Sequence, residues 1–356
     1  MSLIHPLISS NIDVIGDVHG EIGALCSLLS RLGYDGNGNH PDNRKLVFVG
    51  DLVDRGPDSI AVFELVKHLY DQDNAQIVLG NHELNLLIPD PVKPSRPKYK
   101  HGNHWFHGKT ENMLKKTTTI QFQRLATKAD QLRIQQFLKE LPLGLENQDI
   151  RVVHACWDPN SVEILRNDKR SLLEIYNHYQ DILEKGDYHS KQERALKEQN
   201  DNPVKVLSSG KEKGLGEGEK PFEAGGRIRT IKRAQWWTEY DEEPFVVFGH
   251  YWRKLPPEVD HQERKLEVKD LDPDDKSGIP PLFDKDQPYS LLGPKQNCMC
   301  IDYSVGKRFW ERHRGFPLGS TGTALAALRF FKSKENGLLS LSLLFDTGRK
   351  KDLTKK

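Results

Sequence analysis

At 356 residues the chain is long enough for two domains. Its 52 Lys plus Arg against 51 Asp plus Glu leave a net charge of +1, which excludes a global field steering it to nucleic acid or an anionic membrane. A charged fraction of 29% and a mean hydropathy of −0.66 fit a soluble protein, and no apolar run approaches the ~18–20 residues of a membrane span.

The opening Met-Ser-Leu-Ile-His-Pro-Leu-Ile-Ser-Ser has neither a basic n-region nor a long apolar core, so it does not read as a signal peptide. It leads into the first of six short apolar runs that predict strands. Each run ends in a candidate metal ligand. Ile12–Ile15 runs into Gly16-Asp17-Val18-His19-Gly20, Leu46–Val49 into Gly50-Asp51, and Gln76–Leu79 into Gly80-Asn81-His82-Glu83. Ile150–Val153 ends at His154, Phe245–Phe248 at Gly249-His250, and Cys298–Ile301 at Asp302. In layered α/β proteins ligands gather beyond the carboxyl ends of strands, so the pattern predicts an α/β fold with one site built from six strand ends. Reading these side chains instead as satisfied core polar groups and helix caps leaves their repeated placement unexplained.

Helical periodicity fills the gaps. Residues 21–33 put Leu25, Leu28, Leu29 and Leu32 on one face and stop at Gly33, and residues 58–70 bury Ile60, Phe63, Val66 and Leu69 behind an N-cap candidate, Asp58. Residues 129–141 repeat the pattern before Pro142, and 161–199 form a charged helical stretch. Residues 208–226, rich in Gly, Lys and Glu, predict a mobile loop; residues 254–288 have too few apolar residues for a core of their own. Because candidate ligands run from Asp17 to Asp302, we expect a single domain over 1–356, with insertions at about 91–128, 158–243 and 254–296. The cysteines, Cys26, Cys156, Cys298 and Cys300, show no zinc or disulfide spacing, which suggests reduced thiols in a cytoplasm.

Asp17, His19, Asp51, Asn81, His154 and His250 offer two carboxylates, three imidazoles and an amide oxygen. That mixture suits Mn, Fe or Zn better than Ca or a purely structural zinc. With two ions about 3.5–4 Å apart, one carboxylate would bridge them and a shared water would become hydroxide near neutral pH. Asp51, on the most central strand, is the expected bridge. His82 beside Asn81 can protonate a leaving group, a role worth roughly 10²–10⁴ in rate. Asp54 can hold that imidazole protonated, and the Arg55 fork can grip two phosphoryl oxygens.

The ordered set Gly16-Asp17-Val18-His19-Gly20, Gly50-Asp51-Leu52-Val53-Asp54-Arg55-Gly56, Gly80-Asn81-His82-Glu83, His154 and Gly249-His250 resembles the motifs of calcineurin-like metallophosphoesterases, in particular the phosphoprotein-phosphatase branch. The core is also similar to the phosphatase module of polynucleotide kinase–phosphatase. The likeness covers about 1–90, 129–160 and 244–253, more weakly 298–330, and its combined motifs are specific where any one is not. It implies a central β-sandwich flanked by helices, a four-layer α/β/β/α fold, with two metals at its edge. By that likeness Asp17, His19 and Asp51 hold one metal, and Asp51, Asn81, His154 and His250 the other. His82 and Asp54 are then the catalytic acid dyad, and Arg55 the substrate-binding clamp.

Three departures bear on activity. Symmetric diadenosine tetraphosphatases carry Ala where this chain has Asp54, eukaryotic protein phosphatases have Gly-Gly where Ala155-Cys156 follow His154, and no GxxxxGK[ST] phosphate loop accompanies the set. The expected function is phosphomonoester hydrolysis by a metal-bridging hydroxide, on phosphoserine or phosphothreonine proteins or on small and nucleotide phosphates. The alternative is a hydrolase of dinucleoside polyphosphates or cyclic nucleotides; a non-catalytic scaffold comes last, because no ligand is missing. Mn is the expected ion, with Fe, Zn or Ni compatible. The expected partner is a phosphoester substrate, nucleic acid entering only as such, with no membrane.

Four features stay outside this scheme. His101, His104 and His107 suggest a cap lining rather than a third metal. Arg227, Arg229, Lys232 and Arg233 before Trp236-Trp237 could hold nucleic acid, but read more simply as a solvated loop entering a core edge; either Arg229 or Arg233 could reach phosphate. Asp302 could support the second-metal histidine from outside. The basic stretch Arg349–Lys356 reads as a solvated terminus.

Overall fold

The computed structural model describes residues 2–88, 103–108, 123–224, 227–256, 282–283, 287–313, 315–333, 337 and 339–354. In chain order its first strands are β1 Ile4–Pro6, β2 Asn11–Ile15, β3 Lys45–Phe48, β4 Ala75–Ile77, β5 Gly144–Glu146 and β6 Ile150–Val153. Four short strands follow: β7 Glu212–Gly214, β8 Phe222–Ala224, β9 Arg227–Arg229 and β10 Ile231–Arg233. The last are β11 Phe245–Phe248, β12 Cys298–Cys300, β13 Asp302–Tyr303, β14 Ala324–Lys332, β15 Leu339–Phe345 and β16 Lys350–Asp352.

Two sheets result. One runs β1-β5-β6-β11-β12; the other runs β16-β15-β14-β2-β3-β4, with β13 joined to β14. Strands β2, β3 and β4 are mutually parallel, as are β6, β11 and β12. Their carboxyl ends therefore emerge together in each sheet, which is what brings the turns with the candidate ligands to one edge.

Alternation along the strands makes the layers. Ile12 and Val14 on β2, Val47 on β3, Ile150 and Val152 on β6, Val247 on β11 and Met299 on β12 form one buried cluster between the sheets. The alternate positions Ile15, Leu46, Phe48, Val153, Val246, Phe248, Cys298 and Cys300 belong to a second cluster with the helices. A period of two puts successive side chains on opposite faces, so each sheet buries one face against its partner and the other under helices. This is the β-sandwich flanked by helices that the resemblance implied. Fully burying one such aliphatic side chain is worth roughly 1.5–3 kcal/mol, and these strands are buried on both faces.

The helices Ile22–Leu32 and Ser59–Asp71 lie where periodicity placed them, the second capped by Asp58 accepting Ala61 N–H at 2.9 Å. The 161–199 stretch is not one helix but three, Pro159–Asn167, Leu172–Glu184 and Lys191–Asn200. Each new start has its own N-cap, Asp158, Ser171 and Ser190, because local capping competes with helix continuation. The expected loop at 208–226 is also different: β7 pairs with β10 and β8 with β9. The pairing partners lie beyond the Gly-rich segment, so its own composition could not show them. Trp236 and Trp237 are buried, Trp237 stacking on Phe248 and Phe283. Most of 254–288, and His101, lie outside the described residues. Among the described residues no helix is long and apolar enough to cross a membrane.

Candidate metal centre and acid dyad

The turns after β2, β3, β4, β6 and β11 bring Asp17, His19, Asp51, Asn81, His82, His154 and His250 to one edge of the sandwich, all of them but Asn81 buried. Asp51 is at the centre. Its Oδ1 lies 3.3 Å from His154 Nε2, and its Oδ2 lies 3.7 Å from His19 Nε2 and 3.9 Å from His82 Nε2. Candidate ligand atoms of His19, Asp51 and His82 all lie within 4.8 Å of one another, as do those of Asp51, His154 and His250. Asn81 joins the second group, its Oδ1 lying 3.2 Å from His154 Nε2 and 2.8 Å from His250 Nδ1. Asp17 stands outside both groups; its carboxylate accepts the His250 N–H at 3.1 and 3.3 Å.

The histidine rings are set by their far nitrogens. His19 Nδ1 lies 3.1 Å from Val53 O and His154 Nδ1 lies 2.8 Å from Val49 O. A ring that donates Nδ1–H to a carbonyl keeps its Nε2 lone pair for a metal. His19 Nε2 is buried with no hydrogen-bond partner among the described residues. An orphaned imidazole nitrogen facing a carboxylate fits a cation there, so the donor set suits borderline divalent ions.

Charge follows the same geometry. Burial, then Arg55, holds His19 well below the usual histidine pKa, and burial with Arg233 does the same to His250; both rings are in the neutral, ligating form. Burial alone would raise Asp51, but His154 and His82 outweigh it and keep it ionised. Burial would lower His154, but Asp51 pushes it up to about 10. Asp17 is raised by burial and by Asp302.

The backbone is strained at the same place. His19, Asp51, Asp54, Arg55, His250 and Trp252 all have positive φ, between 48° and 73°, at a cost of order 1–3 kcal/mol for each non-glycine residue. Glu83 helps hold the turn: its Oε2 accepts Asp51 N–H at 2.8 Å and Gly80 N–H at 3.0 Å, and its Oε1 accepts Leu52 N–H at 2.8 Å and Val53 N–H at 3.3 Å. Gly50 has φ 94°, and a Cβ there would meet Gly80 N at 2.5 Å. Only glycine lets the two turns touch.

His82 Nδ1 lies 2.6 Å from Asp54 Oδ2, the pairing expected from sequence. Arg55 Nη2 lies 3.3 Å from His82 Nε2, and its guanidinium is 4.6 Å from the centre of the Trp252 ring. Lys307 Nζ is also 4.6 Å from that ring. Of the two arginines sequence could not separate, Arg233 donates to His250 O at 3.2 Å, whereas Arg229 is exposed on β9. Asp302 does not touch the His250 ring; it accepts Trp252 N–H at 3.0 Å and Ser304 N–H at 2.8 Å and so braces the loop behind it.

Of the histidine-rich stretch, His104 and His107 lie on a one-turn helix, yet its contribution to the site is Trp105, whose Nε1–H donates to Asp54 at 2.7 Å. Glu83, Trp105 and Trp252 are the residues sequence reasoning missed. Only Glu83 carried a local signal, as a carboxylate three residues after Gly80, the N-cap of the helix Asn81–Leu87.

Two groups of candidate metal ligands thus share one carboxylate, that of Asp51, at the edge of a β-sandwich. The calcineurin-like phosphoesterase family model matches residues 10–210, more than half the chain, and the chain belongs to that family. It is 51% identical over 73 residues to an asymmetrical bis(5'-nucleosyl)-tetraphosphatase PrpE of Halalkalibacterium halodurans, over 20% of this chain and 30% of that protein. It is 31% identical over 166 residues to a symmetrical bis(5'-nucleosyl)-tetraphosphatase of Marinomonas sp., over 45% of this chain and 50% of that one. The chain thus spans half or less of the length of these curated relatives. Among solved structures, a cold-active protein-tyrosine phosphatase of a Shewanella species aligns over 99% of this chain and 82% of its own, at 15% identity and a TM-score of 0.46.

Proposed function

We propose that the chain is a two-metal phosphomonoesterase whose ions are bridged by Asp51. The observation that carries this is the membership of Asp51 in both ligand groups, His19 with His82 on one side and His154 with His250 on the other. Asp17 would complete the first site with His19, and Asn81 the second. When bound, two such ions generate a nucleophile from water at neutral pH and offset phosphoryl charge.

The protein's own groups do the rest. His82 is assigned as the acid rather than a ligand because its Nδ1 is held by Asp54, which supports the imidazolium and leaves Nε2 to serve the leaving oxygen. Arg55 Nη2 lies 3.3 Å from that Nε2. Engaging phosphoryl oxygens would draw the guanidinium away and free Nε2 to carry a proton. Phosphate binding and acid readiness are then linked through one arginine.

A second reading, hydrolysis of dinucleoside polyphosphates, is supported by the names of the curated relatives and by Trp252, a half-buried indole beside two cations that could stack a base. Against the symmetrical enzymes stands Asp54, where they carry Ala. Metal ions with phosphopeptide, nucleotide, RNA-end and dinucleoside polyphosphate substrates decide: a monoesterase releases inorganic phosphate, whereas exclusive release of nucleotides would replace the first reading with the second. His82→Ala should cut turnover of phenyl phosphate far more than that of p-nitrophenyl phosphate, whose leaving group needs little protonation. Equal losses would remove His82 from the acid role.

A further inference from the structure

The turn carrying Asp54 and Arg55 is covered by two residues to which no motif gives a role. Trp105, on the helix His104–His107, is fully buried, and its indole Nε1–H donates to Asp54 Oδ1 at 2.7 Å. Asp54 Oδ2 faces His82 Nδ1 at 2.6 Å. From the other side Gln123 Oε1 accepts the Ser59 hydroxyl at 3.0 Å, and Ser59 Oγ accepts the Asp54 backbone N–H at 2.9 Å. Asp54 is wholly buried at φ 73°, its carboxylate held by Trp105 and its strained backbone held by Ser59, which Gln123 holds in turn.

The chemistry of the donor matters. Indole nitrogen can only donate, so the Asp54 oxygen it meets must accept, and a carboxylate with a partner on each oxygen is fixed in plane. With one Asp54 oxygen fixed by the indole, the other is aimed at His82 Nδ1, which sets the plane of the ring and leaves Nε2 as the atom facing substrate. A phenyl ring in the same place would pack but could not do this; Trp105 does also pack, its ring 5.3 Å from that of Phe106. The two roles are separable by experiment.

We propose that Trp105 is a positioning residue for the proton transfer, acting through Asp54 on His82. This rests on the acid assignment of His82 above. The test uses the full chain loaded with Mn and measures kcat and KM on phenyl phosphate and p-nitrophenyl phosphate. Two changes remove the N–H: Trp105→Phe, and β-(3-benzothienyl)alanine in place of Trp105, which puts sulfur where the N–H was and keeps the ring shape. Each is made alone and in an Asp54→Ala background.

Since a general acid contributes roughly 10²–10⁴, partial loss of its alignment should lower kcat on phenyl phosphate by about tenfold or more, with a loss below about threefold on p-nitrophenyl phosphate and little change in KM. In the Asp54→Ala background neither change should lower kcat further, because its route of action is gone. Losses equal on the two esters, or losses that multiply with that of Asp54→Ala, would overturn the proposal and leave Trp105 a packing residue. If Trp105→Phe does not fold, the benzothienyl protein decides alone. If His82→Ala itself lowers both esters equally, the acid assignment has failed instead; the Asp54 background still decides whether Trp105 acts through Asp54, additivity counting against it.

Discussion

Replacing Glu83 by Gln changes one oxygen for an NH2 and almost nothing in shape, yet it should be among the costlier substitutions near the site. Each Glu83 oxygen accepts two backbone N–H groups, from Asp51 and Gly80 on one side and Leu52 and Val53 on the other. A glutamine satisfies one pair and turns donors against donors at the other. An unsatisfied buried donor costs roughly 1–3 kcal/mol, so two cost roughly 2–6. Burial, then Asp51, pushes the Glu83 carboxyl up to about 7, so near neutral pH its charge already works against the wild type. That offset moves the expectation into the lower half of the range, about 2–4 kcal/mol of a total of order 5–15. Urea unfolding of the metal-stripped protein measures it directly. Because the same bonds hold Asp51 at φ 48°, metal affinity should fall in parallel. A Glu83→Gln protein within about 0.5 kcal/mol of wild type, with unchanged metal affinity, would refute the reasoning.

Other outcomes follow from the same geometry. In the metal-stripped protein His154 is pushed up to about 10 against an ordinary 6.5. That stability is full below 6.5 and lost as pH rises towards 10, so unfolding free energy should decline between pH 7 and 9, and His154→Asn should flatten the slope. The proton must also leave for a metal to bind, so calorimetry at pH 7 in buffers of different ionisation enthalpy should show proton release. Trp252→Ala should raise KM with kcat little changed, since the indole flanks the Arg55 guanidinium; a fall in kcat alone would contradict this. Arg233→Ala should impair turnover and Arg229→Ala should not, because of the two only Arg233 bonds to the backbone of a candidate ligand, His250; equal effects would put the difference elsewhere.

Much of the site was legible because its signals are local. A β-branched run ending in Gly-Asp or Gly-Asn-His reports a strand and the group at its tip in five or six residues, and parallel pairing then brings the tips together. What stayed hidden depends on distance along the chain. Trp105 meets Asp54 across 51 residues and Trp252 meets Arg55 across nearly two hundred, and neither contact leaves a spacing to read. The histidines of that stretch drew attention to it, but the contact to Asp54 comes from Trp105. Asp302 was placed correctly at a strand end, but whether it faces a ring or a backbone N–H depends on loop conformation, which composition does not determine. The 208–226 strands failed for the same reason, their partners lying outside the window.

The central claim, two metals sharing Asp51, is tested most directly by metal content per chain measured beside turnover in wild type and Asp51→Asn. Two ions per chain in the wild type, with metal and phosphoester turnover lost together in Asp51→Asn, are predicted. One ion per chain, or full turnover by Asp51→Asn, would contradict it.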